Sequence, residues 1–209
     1  QLGVDLKKNE FVCIFARDDA YLKSVTSVIN WDYQNTRNAG IDNLVETAKY
    51  LIEKGFVVIR VGSIVKKPIN FSHERMIDYP YSGHQSDFMD IFLLANCKFV
   101  ISSGCSGMTD VAAISDRPML AVNIGEFGYA PVTKNCLYIP KKYKYINTNN
   151  YLHFRDALNL GNFWCDPTAL DLETEENSPQ DILEATQEML ERLEDGFSYS
   201  PDSEKLIQA

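Results

Sequence analysis

Short unbroken apolar runs, separated by segments of helical periodicity, constrain this chain more than any other feature. "FVCIFA" (11–16), "VVIRV" (57–61), "FVIS" (99–102) and "PMLAVN" (118–123) each read as a strand buried on both faces, with "MIDY" (76–79) and "CLYIP" (136–140) as shorter candidates. Between them, "DNLVETAKYLIEK" (42–54) carries Leu44, Ala48 and Leu51 at helical spacing, with Asp42 as N-cap and Gly55 as C-cap. "SDFMDIFLLANC" (86–97) predicts a helix capped by Ser86 or Asp87, "SGMTDVAAISD" (106–116) another, and a short one is expected near 150–160. Residues 178–195 form an amphipathic helix with Ser178 at N-cap and Pro179 at N1. Strand and helix alternate, which predicts an α/β fold: a doubly wound, mostly parallel, Rossmann-like sheet. Residues 1–195 are expected to form one domain and 196–209 a loosely ordered tail. The acidic stretch "DLETEEN" (171–177) reads as a solvated connection, and the long polar stretch after Arg17 exceeds ordinary loop length.

Charge and cysteine content narrow the function classes. The 209 residues carry a net charge of −9, which argues against a non-specific nucleic-acid binder. No apolar run approaches the ~20 residues a membrane span needs, and no basic segment followed by an apolar one opens the chain. Its first residue is Gln1, as in a piece of a longer protein. The cysteines, Cys13, Cys97, Cys105, Cys136 and Cys165, are odd in number and form no CxxC pair. This predicts reduced thiols, a cytoplasmic setting and no zinc site.

In an open parallel sheet, ligands bind outside the carboxyl ends of the strands. The residues there are Arg17, Asp18 and Asp19 after the first run, Arg60, Gly62 and Ser63 after the second, and Asn123, Gly125 and Glu126 after "PMLAVN". The turn "SSGCSG" (102–107) follows "FVIS". It misses the G-x-S-x-G serine elbow, because Gly107 comes one place early, and it matches neither a Walker loop nor G-x-G-x-x-G. Two readings stay open. Gly104 and Gly107 let a phosphate approach the backbone, with Ser102, Ser103 and Ser106 donating beside a helix N-terminus; or the turn is plain, with Ser106 as cap. Arg17 at a buried strand end needs an anion: a structural carboxylate (Asp18, Asp19 or Asp87) or a ligand phosphate or carboxylate. Arg37 and Arg60 allow the same two readings. Asp87 and Asp90 lie three apart on one helical face; Asp87 suits a cap, and Asp90 either orients a hydroxyl or faces solvent. His84, in the "YSGHQSD" loop, suits a base or an exposed loop position.

As a set, "FVCIFARDDAYL", "TRNAGIDNL", "GFVVIRVGS", "MIDYPYSGHQSDFMDIFLLANCKFVISSGCSG" and "EENSPQDILEATQEML" resemble a glycosyltransferase family found in bacterial surface-polysaccharide loci. The resemblance runs from about Phe11 to Leu193. The architecture is also similar to the donor-binding half of GT-B glycosyltransferases, including fucosyltransferase-like enzymes. It implies that Arg17 and the serines of the turn, Ser102, Ser103 and Ser106, bind the donor's phosphates, and that Glu176 approaches a donor ribose or sugar. GT-B enzymes have two domains of comparable size, and 209 residues hold one, so an acceptor-binding domain or partner chain is expected elsewhere.

The expected function is transfer of a sugar from a nucleotide-sugar donor to a glycan acceptor in polysaccharide biosynthesis. Donor phosphate contacts are expected from Arg17, Arg60, Ser102, Ser103, Gly104, Ser106 and Gly107, with Arg37, Asn38, Ser86, Asp87 and Glu176 supporting. Asp18, Asp19 or a residue of an absent domain is the expected proton acceptor. No D-x-D sequence occurs, and neither a metal nor a cofactor beyond the donor co-substrate is expected. Two alternatives are a non-catalytic nucleotide- or glycan-binding module assisting a partner enzyme, and a serine hydrolase using Ser106.

Overall fold

The computed structural model describes residues 2–25, 28–125, 135–160 and 167–194. Six of the expected strands are present: β1 (Phe11–Ala16), β2 (Val57–Arg60), β3 (Met76–Asp78), β4 (Val100–Ser103), β5 (Met119–Ile124) and β6 (Cys136–Pro140). They form one sheet in the order β3-β2-β1-β4-β5-β6, with every neighbouring pair parallel. This is the Rossmann strand order. It reverses between β1 and β4, where a doubly wound sheet opens a crevice at its carboxyl edge.

The pleat explains why the strands read as unbroken apolar runs. Along β1, Val12, Ile14 and Ala16 face one side of the sheet and Phe11, Cys13 and Phe15 the other. Each set meets helices. α2 (Val45–Glu53) and α6 (Pro179–Leu193) cover the first face with Ala48, Leu51, Ile182 and Met189. α3 (Asp87–Asn96) and α4 (Gly107–Ile114) cover the second with Leu93, Leu94 and Ala112. Full burial of each such leucine stabilises the fold by about 1.5–3 kcal/mol, so both faces of the central strands are apolar along most of their length, with Arg60, Ser102, Ser103 and Asn123 as buried polar exceptions near the carboxyl ends.

Caps explain where the helices begin. Ser86 caps α3, its Oγ accepting from Met89 N–H at 3.2 Å, which settles the choice between Ser86 and Asp87. Ser178 caps α6 in a reciprocal box with Asp181, with Pro179 following as expected. The segment read as a helix from Asp42 differs. Ile41–Leu44 form a 3-10 turn and the α-helix starts at Val45. Asp42 bonds Lys67 and the Asn70 N–H instead of capping.

One helix and one two-stranded ribbon were not expected. α1 (Ala20–Val25) buries none of its residues, so it leaves no apolar periodicity to read. β7 (Lys142–Tyr145) pairs antiparallel with β8 (Leu172–Glu175) as a two-stranded ribbon. This corrects the reading of 171–177 as a solvated connection. Leu172 is buried with Tyr143 and Ala157 in a small separate core, and Lys144 stands opposite Glu173 at 3.6 Å. α5 (Phe154–Leu158) occupies the expected short helix. Glu126, Cys165 and the tail from 196 lie outside the described residues. Among the described residues no helix is long and apolar enough to cross a membrane.

Candidate functional site

The turn "SSGCSG" joins β4 to α4 beside the switch point. Gly104 has φ +82°, and a Cβ there would stand 2.3 Å from the Arg37 carbonyl oxygen and 3.3 Å from Arg17 Cβ. Its lack of a side chain admits the protein's own backbone, not a ligand. Ser102 and Ser103 lie buried beneath the turn. Ser102 Oγ donates to the Gly104 carbonyl at 2.8 Å and lies 3.1 Å from Thr109 Oγ1, while Ser103 Oγ accepts from Asn123 Nδ2 at 2.8 Å. Ser106 caps α4, accepting from Met108 N–H at 3.2 Å, and its own N–H donates to Thr109 Oγ1 at 3.0 Å. Of the six turn residues, Ser106 and Gly107 line a cleft of about 510 Å³, and open space surrounds the position of a Gly107 Cβ. The N-terminus of α4 therefore faces that cleft with its positive dipole end.

The cleft lies at the carboxyl ends of β1, β2 and β4, and Arg17 and Arg37 both border it. Arg17 follows β1 directly and is only 7% exposed. Its guanidinium donates to the Gln34 carbonyl at 3.1 Å, to Gln34 Oε1 at 3.4 Å and to Asn38 Oδ1. Arg37 donates to Gln34 Oε1 at 2.6 Å and to the Cys105 carbonyl at 2.7 Å. The long polar stretch after Arg17 is thus a strap: a 3-10 turn over Asp32–Arg37 that lies against Gly104 and Gly125 and brings a second arginine to the turn. Lys141 Nζ donates to the Asn38 carbonyl at 2.6 Å and holds the strap from the other side. Burial pushes the Lys141 ammonium down; Glu176 opposes this and Arg17 adds to it. Glu176 accepts from Gly40 N–H at 3.0 Å and from Asn43 Nδ2 at 2.8 Å, anchoring the strap's far end.

Arg60 does not join this group. Alternation turns it away from the cleft, and the β2–β3 register sets it beside Asp78, with Arg60 Nη1 3.2 Å from the carboxylate. Its Nη1 also reaches the Lys67 carbonyl at 2.7 Å, and the side chain is 1% exposed. The donor-contact reading of Arg60 therefore gives way to that of a buried structural ion pair, one that sequence distance alone did not suggest.

The carboxylates divide by their partners. Asp18 borders the cleft, but its two oxygens accept from the Ala20 and Lys66 N–H groups at 2.9 Å each. Asp19 pairs with Lys23 and, at 3.4 Å, with Lys66. The bond to Lys23 holds it below the usual carboxylate range, with Lys66 adding to this and burial opposing it. Both aspartates hold the loop around α1. Asp87 is exposed in the first turn of α3 and borders the cleft. Asp90, one turn on, also borders it, and its Oδ1 is buried with no hydrogen-bond partner among the described residues. Burial pushes the Asp90 carboxyl up; the nearby Tyr79 hydroxyl partly offsets this, and the Asp87 charge adds to it. The sequence placed Asp90 on a helical face; its neighbour Tyr79 is fully enclosed and bonded to Ser86.

The assembled cleft combines two guanidinium groups and a helix N-terminus with an apolar floor that includes Phe15, Ile91 and Met108. Such a corner suits a phosphate, since guanidinium binds it bidentately. No histidine is among the described residues lining the cleft, and Ser106 Oγ accepts the Met108 N–H as a helix cap.

No family model matches the sequence, and no curated protein matches it. Among solved structures, the chain matches the ADP-heptose LPS heptosyltransferase II of E. coli at 16% identity, over 88% of this chain and 47% of that one, with a TM-score of 0.49. It also matches TibC, a dodecameric iron-containing heptosyltransferase solved with ADP-D-β-D-heptose, at 13% identity, over 89% of this chain and 46% of that one, with a TM-score of 0.43. The chain spans about half the length of both heptosyltransferases.

Proposed function

We propose that this chain is the nucleotide-sugar-binding domain of a glycosyltransferase that transfers a sugar to a glycan acceptor in cytoplasmic polysaccharide synthesis. The observation that carries the reading is the convergence of Arg17, Arg37 and the Ser106–Gly107 N-terminus of α4 on one cleft beside the β1/β4 switch point. The donor's diphosphate would lie against these groups. Donors aimed at the oxygen that gains charge as the nucleoside diphosphate departs lower the barrier to departure. Arginines and a helix end supply that charge without a divalent ion. The sequence resemblance to surface-polysaccharide glycosyltransferases supports the same reading. The acceptor site is assigned to another domain or to a partner chain.

The test is calorimetric titration with UDP, GDP, ADP and CDP in the absence of divalent metal. Binding of at least one is expected, and Arg17→Ala should weaken it by about 1.5–3 kcal/mol, the range for a charge-assisted hydrogen bond. Arg17→Lys, which keeps the charge and loses the fork, should fall between. Wild-type protein that binds none of the four, or Arg17→Ala that binds as wild type does, overturns the reading.

A further inference from the structure

A second cavity, of about 580 Å³, opens at the carboxyl end of β1. It meets the first cleft at Ala16 and Asp18, which line both. Four stretches of chain enclose it: Asp18 and Asp19 after β1, the strap around Asn38, Lys66 and Lys67 after β2, and Glu176 before α6. The two cavities differ in chemistry. The first has an apolar floor that includes Phe15, Ile91 and Met108. The second has no aromatic residue among the described residues lining it, and its walls carry carboxylates, carboxamides and ammonium groups.

Resting on the glycosyltransferase reading, we propose that this second cavity is the subsite for the donor's sugar. The nucleoside and its phosphates stay in the first cleft, and the sugar passes Asp18 into the second. The ligand class is a sugar ring with several free hydroxyls. Each hydroxyl donates one hydrogen bond and can accept two. Walls that mix acceptors with donors satisfy it in either sense. The apolar floor of the first cleft would leave such hydroxyls without partners, which is costly once water is excluded.

Individual partners support the assignment. Glu176 is fixed to the strap through one oxygen: Gly40 N–H and Asn43 Nδ2 both donate to Oε2, at 3.0 and 2.8 Å. Its Oε1 has no hydrogen bond among the described residues. The carboxylate is therefore oriented by one oxygen and able to accept a sugar hydroxyl with the other. Asn35 is exposed; its Oδ1 accepts from Asn38 Nδ2 at 2.9 Å, and its amide donates to Asp32 Oδ1 at 3.3 Å. That use leaves one amide hydrogen for a ligand. The Lys66 ammonium lies 3.4 Å from Asp19 on a side chain that is 68% exposed. So open a pair does little to hold it in place, and the ammonium can turn to a ligand oxygen. Asn38 joins the two cavities, because it lines the second and accepts from Arg17, which borders the first.

The experiment needs binding alone. Wild type, Glu176→Gln and the double variant Asn35→Ala/Lys66→Ala are titrated calorimetrically with two sets of ligands. The first set is UDP, GDP, ADP and CDP. The second is UDP-glucose, UDP-galactose, UDP-N-acetylglucosamine, GDP-mannose, ADP-glucose and CDP-glucose. Glu176→Gln keeps one acceptor oxygen for the strap and turns the other atom into a donor. Both variants are expected to bind the free nucleoside diphosphate as wild type does. Both should lose about tenfold or more in affinity for the matching nucleotide sugar, as expected for one charge-assisted hydrogen bond. A change that merely loosened the strap would weaken both sets alike, because the strap carries Arg37 to the first cleft. Equal weakening of the two sets therefore overturns the proposal. So does wild-type affinity for the nucleotide sugar in both variants. Wild type that binds a free nucleoside diphosphate but none of the nucleotide sugars also overturns it, and leaves the nucleotide-binding reading standing. Wild type that binds none of these ligands overturns both.

Discussion

On one flank of the glycine turn, hydroxyls and amides close on one another; on the other, the same residue types border open space. The closed flank runs from β4 through β5 to α6. Asn123 and Asn177 exchange two hydrogen bonds of 2.6 Å, each backbone N–H to the other's Oδ1, and Asn177 Nδ2 reaches the Pro140 carbonyl at 2.9 Å. Asn123 adopts φ +56°, which asparagine tolerates better than most residues, and it passes the network on to Ser103. The open flank holds Ser106, Gly107, Arg17 and Arg37 at the cleft. Polar residues collect at both places for different reasons. On the closed flank they satisfy buried backbone groups that would otherwise cost about 1–3 kcal/mol each; on the open flank they border the cleft.

The two glycines of the turn offer the strongest way to break this contrast. Gly104→Ala should destabilise the protein by about 3 kcal/mol or more, because a Cβ at positive φ is strained and this one meets the Arg37 backbone. Urea denaturation checks this, and a loss below about 1 kcal/mol would show that the strap gives way freely. Next comes Asn177→Ala, expected to cost about 2–3 kcal/mol by the same measurement, since it orphans the Asn123 amide and the Pro140 carbonyl. Nucleotide binding should survive this change in whatever fraction stays folded, because the closed flank does not line the cleft. The smallest effect has the opposite sign. Gly107→Ala should stabilise by about 0.5–1 kcal/mol, since alanine suits the first turn of α4 better and nothing crowds the new methyl. If the turn faces phosphate, the same methyl should weaken nucleotide binding while it stabilises the fold.

Much of the scaffold was legible in the sequence, because burial on both faces leaves strands apolar up to the few polar residues near their carboxyl ends, such as Ser102, Ser103 and Asn123. β1, β4 and β5 show this, and Ser86 and Ser178 announce their helices by cap chemistry. α1 and the β7–β8 ribbon were not legible, since "AYLKSV" buries no residue and "KYKY" and "LETE" present mostly polar groups. Within the site, Arg17, Ser106 and Gly107 stand out because each lies just past the carboxyl end of a strand. Arg60 meets the same criterion and belongs elsewhere, because pleat parity and the register with Asp78 decide where its side chain goes. Asp90 could not be ranked from spacing, because its setting depends on the buried Tyr79 hydroxyl eleven positions earlier in the chain, a contact that leaves no local pattern. Glu176 and Asn38 lay in segments the sequence singled out, yet their contacts with the strap are long-range and leave no local pattern.

The strap has a consequence for any molecule that enters the cleft. It puts cationic groups on the wall formed by β1 and residues 34–38, whereas α3 puts Asp87 and Asp90 on another. The pocket is therefore polarised from side to side. An elongated guest with an anionic end and a hydroxylated end would fit it better one way round, because the reversed pose sets the anionic end against the α3 carboxylates. Selection by orientation of this kind needs no moving part, only a chain segment long enough to carry Arg37 back across the sheet.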